Sequence, residues 1–489
     1  MQVFKNFCLA LVCLVLISCS SSRITDEGGA DSYNTDISEI GISDNKSFRV
    51  GMLLPLTGND AKYGIGLKNA SMIALNDINN PNLVLQYYDT QSTASGARIA
   101  IENAINQRSD LIIGPLKSSE VQAISNETIY QGIPVIAFST AQEVLQPTIY
   151  TLGLLIEEQV DRIITYTAQK GRKRFALLLP DNSTGGAVAR AAVKSAEKNG
   201  VVITVVGFYT PGTSDFSDIA KEMTNFENRN RIVTQIKNRL QVMSDNGDIQ
   251  AQKALKKLET REGLGDVGFD ALIIPESGAK LTAAIAMFAY YDAAYPQVQF
   301  LGTSIWGISK LNNEATIAKS LYPSLSTNNS VNYFANQYYS VFGEKPSSLY
   351  TLAYDAVKIA SALSSLSDDN LNNDITKESG FSTLNGPVRF FKDGLNQHSL
   401  DIIEIRPSGN LIVDQGSKYF ENSLTSLSHI ISTEDFVSPK IYGKDKSMAQ
   451  ILIYGQPLEE NESIENSYID FDNESVVEQQ LKDMGIYIN

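Results

Sequence analysis

Short apolar runs closed by glycine, proline or hydroxyl residues alternate along this chain with longer segments whose apolar positions recur at helical spacing. Phe48–Leu54 predicts a first strand, ended by Pro55-Leu56-Thr57-Gly58. A helix with Ala70, Ile73, Ala74 and Ile78 on one face follows, and Asn79-Asn80-Pro81 stops it. Leu83–Tyr88 predicts the second strand, and a helix runs through Ile99 to Ile105. Leu111-Ile112-Ile113, closed by Gly114-Pro115, predicts a buried third strand, and a helix from Ser118 to about Gln131 leads to a fourth at Pro134–Phe138. This βαβαβαβ run implies a parallel, doubly wound sheet. The pattern then restarts, with a helix near 157–169, strands at 174–179 and 201–208, and a Gly-rich turn at 181–186. Strands at 270–274 and 299–301 flank an apolar helix, Leu281 to Tyr290. The fold class is therefore α/β: two Rossmann-like lobes on one chain.

The rest of the chain fixes where the lobes are expected to divide. Helices are predicted around 332–342 and 347–366, then a β-hairpin with Lys392-Asp393-Gly394 as its turn and His398–Ile405 as its second strand. Lobe I is assigned to 47–155 and 304–380, and lobe II to 156–303 and 381–415. Within lobe II, 225–265 predicts an inserted helical hairpin: Ile232, Ile236, Leu240 and Met243 share one face, as do Ala251, Leu255 and Leu258. Residues 416–489 are expected to be an acidic, largely disordered tail; from Glu459 onward nine acidic residues face a single lysine.

The N-terminus reads as an address. Lys5 precedes an apolar run, Phe7 to Ile17, that suits a signal-peptide core and is too short to span a bilayer. It ends Leu16-Ile17-Ser18-Cys19, which resembles a bacterial lipobox with Cys19 as the lipidated residue. Two or more acyl chains anchor stably where one does not. Ser20 after the cysteine resembles the signal for the periplasmic side of the outer membrane in Gram-negative cells. Residues 20–46 are rich in Ser, Asp and Gly without hydrophobic period, a tether of roughly 30 Å r.m.s..

Composition narrows the chemistry. The net charge of −15 excludes broad attraction to nucleic acid. The three cysteines, Cys8, Cys13 and Cys19, all lie at the N-terminus, which leaves none downstream for a disulfide or thiolate site. With His398 and His429 as the only histidines, neither a histidine-rich zinc site nor a catalytic triad is expected, and no cofactor is implied. What the pattern does offer is hydroxyls. Ser118 and Ser119 fall at a helix start, and Ser139 and Thr140 at the carboxyl end of the neighbouring strand, the edge where open α/β sheets bind ligands. Ordinary helix caps would look the same one at a time. Basic residues of the hairpin, among them Arg231, Lys237, Arg239 and Lys256, stand out in an acidic chain as a solvated face or a docking surface for an acidic partner.

The start Val50-Gly51-Met52-Leu53-Leu54-Pro55-Leu56-Thr57-Gly58, with Tyr63-Gly64, Tyr88-Asp89-Thr90 and Ile113-Gly114-Pro115, resembles the type I periplasmic binding proteins, near the branched-chain amino-acid receptors. The second half is similar to the penicillin-binding protein activator lipoproteins, through Phe269–Pro275, Phe300–Trp306, Leu352–Val357 and Asn385–Phe390. The first resemblance implies that Ser118 and backbone groups at Ser139-Thr140-Ala141 hold a ligand carboxylate, that Glu276 holds an ammonium, and that Tyr63 lines the cleft or packs on the hinge. Ala141 lacks the hydroxyl expected there, so a zwitterion loses one buried hydrogen bond, roughly 1–3 kcal/mol.

Three functions compete. The first is a lipid-anchored regulator that activates a peptidoglycan synthase without chemistry of its own. The second is a receptor that closes its lobes on an amino acid or similar small polar solute for an ABC permease. The third, an enzyme, lacks a nucleophile–histidine pair or a complete nucleotide fingerprint; Gly64-x-Gly66 and Gly185-Gly186 do not continue as one.

Overall fold

The computed structural model describes residues 47–487 except 142–143, 309–310, 312–313, 367–369, 421–438 and 455–472. Cys19, the lipobox and the tether expected at 20–46 lie outside the described residues. The first lobe begins β1 (Phe48–Leu54), α1 (Ala61–Ile78), β2 (Leu83–Asp89), α2 (Ala94–Asn106), β3 (Leu111–Ile113), α3 (Ser118–Gln131), β4 (Val135–Ala137), β5 (Ile149–Thr151). The strands form an all-parallel sheet in the order β2-β1-β3-β4-β5. Alternate residues explain why such short runs suffice. Leu111 and Ile113 enter one core with Leu67 and Ala70 of α1, while Ile112 enters the other with Ile101 and Ile124 of α2 and α3. Gly132, at φ 67°, ends α3 in the left-handed conformation that glycine tolerates best.

The second lobe continues with α4 (Ile156–Gln169), β6 (Arg174–Pro180), α5 (Ser183–Asn199), β7 (Val202–Tyr209), α6 (Ser217–Met223), α7 (Phe226–Asp245), α8 (Ile249–Leu258), β8 (Ala271–Ile273), α9 (Gly278–Tyr290), β9 (Gln299–Leu301) and β10 (Leu321–Ser324). The chain then adds α10 (Asn329–Phe342), α11 (Ser348–Ser364), α12 (Leu371–Ile375), β11 (Phe381–Thr383), β12 (Gly386–Phe390), β13 (Asn396–His398), β14 (Asp401–Glu404) and β15 (Leu411–Asp414). Last come β16 (Lys440–Tyr442), α13 (Lys446–Tyr454) and α14 (Asn473–Asp483). The second sheet has the order β15-β14-β10-β9-β8-β6-β7-β16. Its odd β6 positions, Phe175, Leu177 and Leu179, pack with α4 and α5, and Ala176 and Leu178 pack with α6 and α9.

The boundaries between lobes differ from those expected. Residues 304–324 stay with the second lobe, because Trp306 and Ile317 are buried there and β10 pairs with β9 and β14. Residues 381–398 stay with the first lobe: Phe381, Leu384, Val388 and Phe390 close its core against α10 and α11. The segment read as one strand, 398–405, is broken at Ser399-Leu400, so β13 and β14 belong to different sheets. The chain thus crosses between lobes at 152–155, 325–328 and 399–400. The fold is that of the type I periplasmic binding proteins.

Of the region expected to be a largely disordered tail, 421–438 and 455–472 lie outside the described residues, while described parts of it pack on the second lobe. Lys440–Tyr442 pairs in parallel with Val205–Gly207 and so covers the free edge of β7. Ala449 and Ile453 of α13 enter the core beside α5, and Val477 and Leu481 of α14 pack against the helical hairpin. A few well-spaced apolar residues outweigh the local acidity. Among the described residues, no helix is long and apolar enough to cross a membrane.

One close approach in this lobe gives a test. A Cβ on Gly302, which follows β9, would overlap the indole of Trp306, itself buried with Nε1 donating to Ile274 O at 3.0 Å. Gly302→Ala is expected to destabilise the fold by about 1–3 kcal/mol through overpacking. Urea unfolding reads this directly, and an unchanged midpoint would show that the indole has room to move.

Candidate functional site

The site is built on strand ends. β3 and β4 leave the first sheet side by side, and Phe138 N donates to Pro115 O at 3.1 Å, which ties the two exits together. Pro115 leads into the first turn of α3 with Ser118 half-buried and Ser119 exposed; Phe138 leads to Ser139, buried, and Thr140, exposed. Ser139 Oγ accepts from Ala141 N at 3.1 Å, an Asx-like turn just past the strand end. Ser118 and Ser139 therefore share one sheet edge, as the strand pattern implied. Tyr63, in the first turn of α1, is 45% exposed beyond the end of β1.

Glu276 is on the other lobe, just beyond the carboxyl end of β8. Tyr209 Oη donates to its Oε1 at 2.6 Å. Burial and the neighbouring Glu276 carboxylate push the Tyr209 phenol far above its ordinary range, so it remains a donor and fixes the carboxylate. Both sheets meet at the first crossing: β5 runs directly into it, and Ser304 N, beyond β9, donates to Gln159 Oε1 in the first turn of α4 at 2.8 Å. The carboxyl ends of both sheets thus border a single segment, 152–159.

Charged residues that the hydroxyl pattern did not single out surround the first-lobe edge. Lys117, next to Ser118, pairs with Asp60 and donates to Ser92 O at 3.3 Å. Asp89 accepts from Leu56 N (2.8 Å), Thr57 N (3.1 Å), Thr57 Oγ1 (2.6 Å) and Gln91 N (2.8 Å). Although burial opposes it, these bonds from Thr57, Gln91 and Leu56 hold its carboxyl below the ordinary range. Glu120, fully buried, accepts from Thr90 Oγ1 at 3.3 Å, and burial raises its pKa. The signal for all three was present as acidic or basic residues directly flanking the Thr and Ser positions. Among the described residues, no group of three or more His, Cys, Asp or Glu could hold a metal ion.

A cavity of about 580 Å³ lies elsewhere, at the second and third crossings, lined by Ser326, Thr383, Ser399, Asp401 and Lys418. None of the predicted ligand residues lines it. The hairpin carries a smaller one, about 350 Å³, bordered by Lys221, Asn230, Thr234, Lys237 and Arg261. Lys237 is committed within the hairpin, with Nζ donating to Arg261 O (2.8 Å) and Glu259 O (3.3 Å). Arg231 bonds Asn228 Oδ1 on its own helix and is exposed, as are Arg239 and Lys256. Arg229 is buried and holds the hairpin to the lobe through Asp292 Oδ2 (2.6 Å) and Tyr291 O (3.0 Å).

Two parallel-sheet lobes, three crossings and hydroxyl-bearing strand ends beside the first give the architecture the fold of the type I periplasmic binding proteins. Residues 47–227 match the model of a family described as periplasmic binding protein. The chain is 24% identical over 180 residues to a Leu/Ile/Val-binding protein of Rhizobium johnstonii, which covers 34% of this chain and 49% of that protein. It is 22% identical over 217 residues to an uncharacterised protein of Rickettsia prowazekii, covering 44% and 55%. The chain therefore spans about half the length of these curated relatives. Among solved structures, a putative branched-chain amino acid ABC transporter protein from Rhodospirillum rubrum superposes with a TM-score of 0.60 at 16% identity, covering 75% of this chain and all (100%) of that one. An ABC-type branched-chain amino acid transporter protein from Rhodopseudomonas palustris gives 0.56 at 13% identity, covering 77% and 97%.

Proposed function

We propose that the chain is a non-catalytic receptor that closes two lobes on a small polar solute bearing a carboxylate. The observation that supports this most directly is the paired exit of β3 and β4, where Ser118, Ser139 and free backbone N–H groups lie on one edge. In this reading Ser118 and the backbone at 139–140 bind the carboxylate, Ala141 N being held by Ser139 Oγ, and Glu276, oriented by Tyr209, accepts a cationic or hydroxyl group from the second lobe. The named amino-acid specificity of the relative from Rhizobium johnstonii points to the same ligand class. Ala141 contributes no hydroxyl, which favours solutes other than a standard amino-acid zwitterion. Delivery to an ABC permease follows from this function.

A thermal-shift screen of amino acids, short peptides and aromatic carboxylates tests it. A true ligand at a hundred times its Kd stabilises the fold by about 2.7 kcal/mol. Ser118→Ala is expected to weaken that ligand roughly tenfold or more, by removing a hydrogen bond to a charged group. A panel with no stabilising member, or a ligand indifferent to Ser118→Ala, would remove the reading.

The inserted hairpin with exposed Arg231 and Lys256 favours a second reading, a regulator of a peptidoglycan synthase held to the outer membrane by a lipid on Cys19. Co-purification of a synthase from envelope extracts, with no solute in the thermal screen, is its signature.

A further inference from the structure

The hairpin cannot complete its own core. α7 and α8 contribute Val233, Leu240, Ala251, Ala254 and Leu258, and the remaining wall of that cluster comes from the far end of the chain. Val477, Leu481 and Ile486 are buried there, with Met484 packed beside them. Polar contacts set the register. Gln480 Oε1 accepts from Gly265 N at 2.9 Å, and Lys257 Nζ donates to Met484 O at 2.6 Å, a cation at the C-terminal end of α14.

We infer that the face between α7 and α8 is a docking groove for an acidic amphipathic helix, that α14 is its internal occupant, and that a partner protein bearing such a helix displaces α14. Three observations point to this. The occupant has the chemistry of a recognition helix, with Val477 and Leu481 one turn apart on the inner side and Glu478 and Asp483 exposed on the outer. The two elements have opposite net charge: residues 225–265 carry eight Lys and Arg against five Asp and Glu in a chain of net charge −15, residues 473–487 carry three acids and one lysine, and Lys257 of α8 reaches the carbonyls that follow α14. The occupant is also short. An eleven-residue helix is marginal in isolation, so α14 is helical through docking, and its order exchanges with that of a competitor. The eighteen residues 455–472 separate it from α13 in sequence, so its release leaves the lobe's sheet and core unaltered. The inference stands whether or not the cleft binds a solute.

The probe is a labelled peptide of residues 473–487 of this chain, titrated into the full-length protein by fluorescence anisotropy. The wild-type groove is filled, so weak binding is expected. Leu481→Asp in the protein expels its own helix and is expected to tighten peptide binding at least tenfold. Gln480→Ala, which buries no charge, is expected to give about a threefold gain and secures the test should Leu481→Asp fail to fold. Adding Lys257→Glu to Gln480→Ala should abolish the gain, and a peptide with Glu474, Glu478 and Asp483 changed to lysine should bind two- to threefold more weakly, a loss that shrinks with added salt. Equal binding by wild type and both tail variants would overturn the exchange. Equal binding of the lysine peptide would overturn the acidic partner.

Discussion

Replacing Asp355 by alanine is expected to cost about 2–5 kcal/mol of stability and to loosen the second crossing between the lobes. Asp355, in the middle of α11, is 1% exposed, and its carboxylate accepts from Leu384 N (2.6 Å), Asn385 N (3.4 Å) and Asn385 Nδ2 (2.6 Å). That turn joins β11 to β12, and Asn385 O in turn accepts from Ser326 N at 3.3 Å, so one side chain links helix, hairpin and crossing. Alanine leaves at least two buried donors without an acceptor, at about 1–3 kcal/mol each. Asn385 Nδ2 retains Thr351 Oγ1 at 2.9 Å, which keeps the total from rising further. Denaturant unfolding gives the magnitude. Hydrogen exchange at Leu384 and Asn385 gives the location: protection there should fall more than in β1 or β6. A variant with wild-type stability would mean that water reaches these donors and the network is not closed.

The same residue shows where sequence reasoning stops. The strands were legible because a parallel sheet buries both faces, and runs such as Leu111-Ile112-Ile113 announce that whatever lies around them. Lobe membership was not. Residues 381–398 carry a hairpin pattern that fits either lobe, and what decides is the acceptor at Asp355, about thirty residues earlier in the chain. The break at Ser399-Leu400 was equally hidden, since no glycine or proline marks it and the buried residues just before it, Asn396 and His398, are polar. At the site, Ser118 and Ser139 were placed on one edge from strand order alone. Lys117–Asp60 and Tyr209–Glu276 were not, because pairs 57 and 67 residues apart leave no local signal. The packed end of the tail was hidden for a related reason: charge dominates the composition there, while three buried residues, Val477, Leu481 and Ile486, determine where α14 sits.

The largest pH effect is expected at the junction of the first and third crossings. Glu158 Oε1 accepts from Leu155 N (2.9 Å) and meets His398 Nδ1 at 3.0 Å, and its Oε2 accepts from His398 N at 2.7 Å. Two crossings are thus bound to one carboxylate, whose side chain is 9% exposed against 2% for His398. Burial pulls the His398 imidazolium down, but Glu158, and at longer range Asp355, outweigh it and leave its pKa above the ordinary 6.5. A raised histidine contributes stability that is complete below pH 6.5 and lost as pH rises through the folded-state value. Asp355 acts in the same direction: burial pushes its carboxyl up to about 6 against hydrogen bonds from Asn385 and Leu384, so stability also declines between about pH 4 and 6. Carboxyls held low, such as Asp270 beside Arg174, act the other way but only below their ordinary 3.8. The wild-type Tm should therefore fall as pH is raised from 6 to 8. Glu158→Ala, which strands a buried histidine and two backbone donors, is expected to cost about 3–5 kcal/mol. Glu158→Gln keeps the shape and removes the charge, so its Tm should lose the decline above pH 6.5 while retaining the part due to Asp355. A Glu158→Gln profile parallel to wild type across pH 6–8 would place the proton on another group and leave the crossings without a pH-sensitive tie.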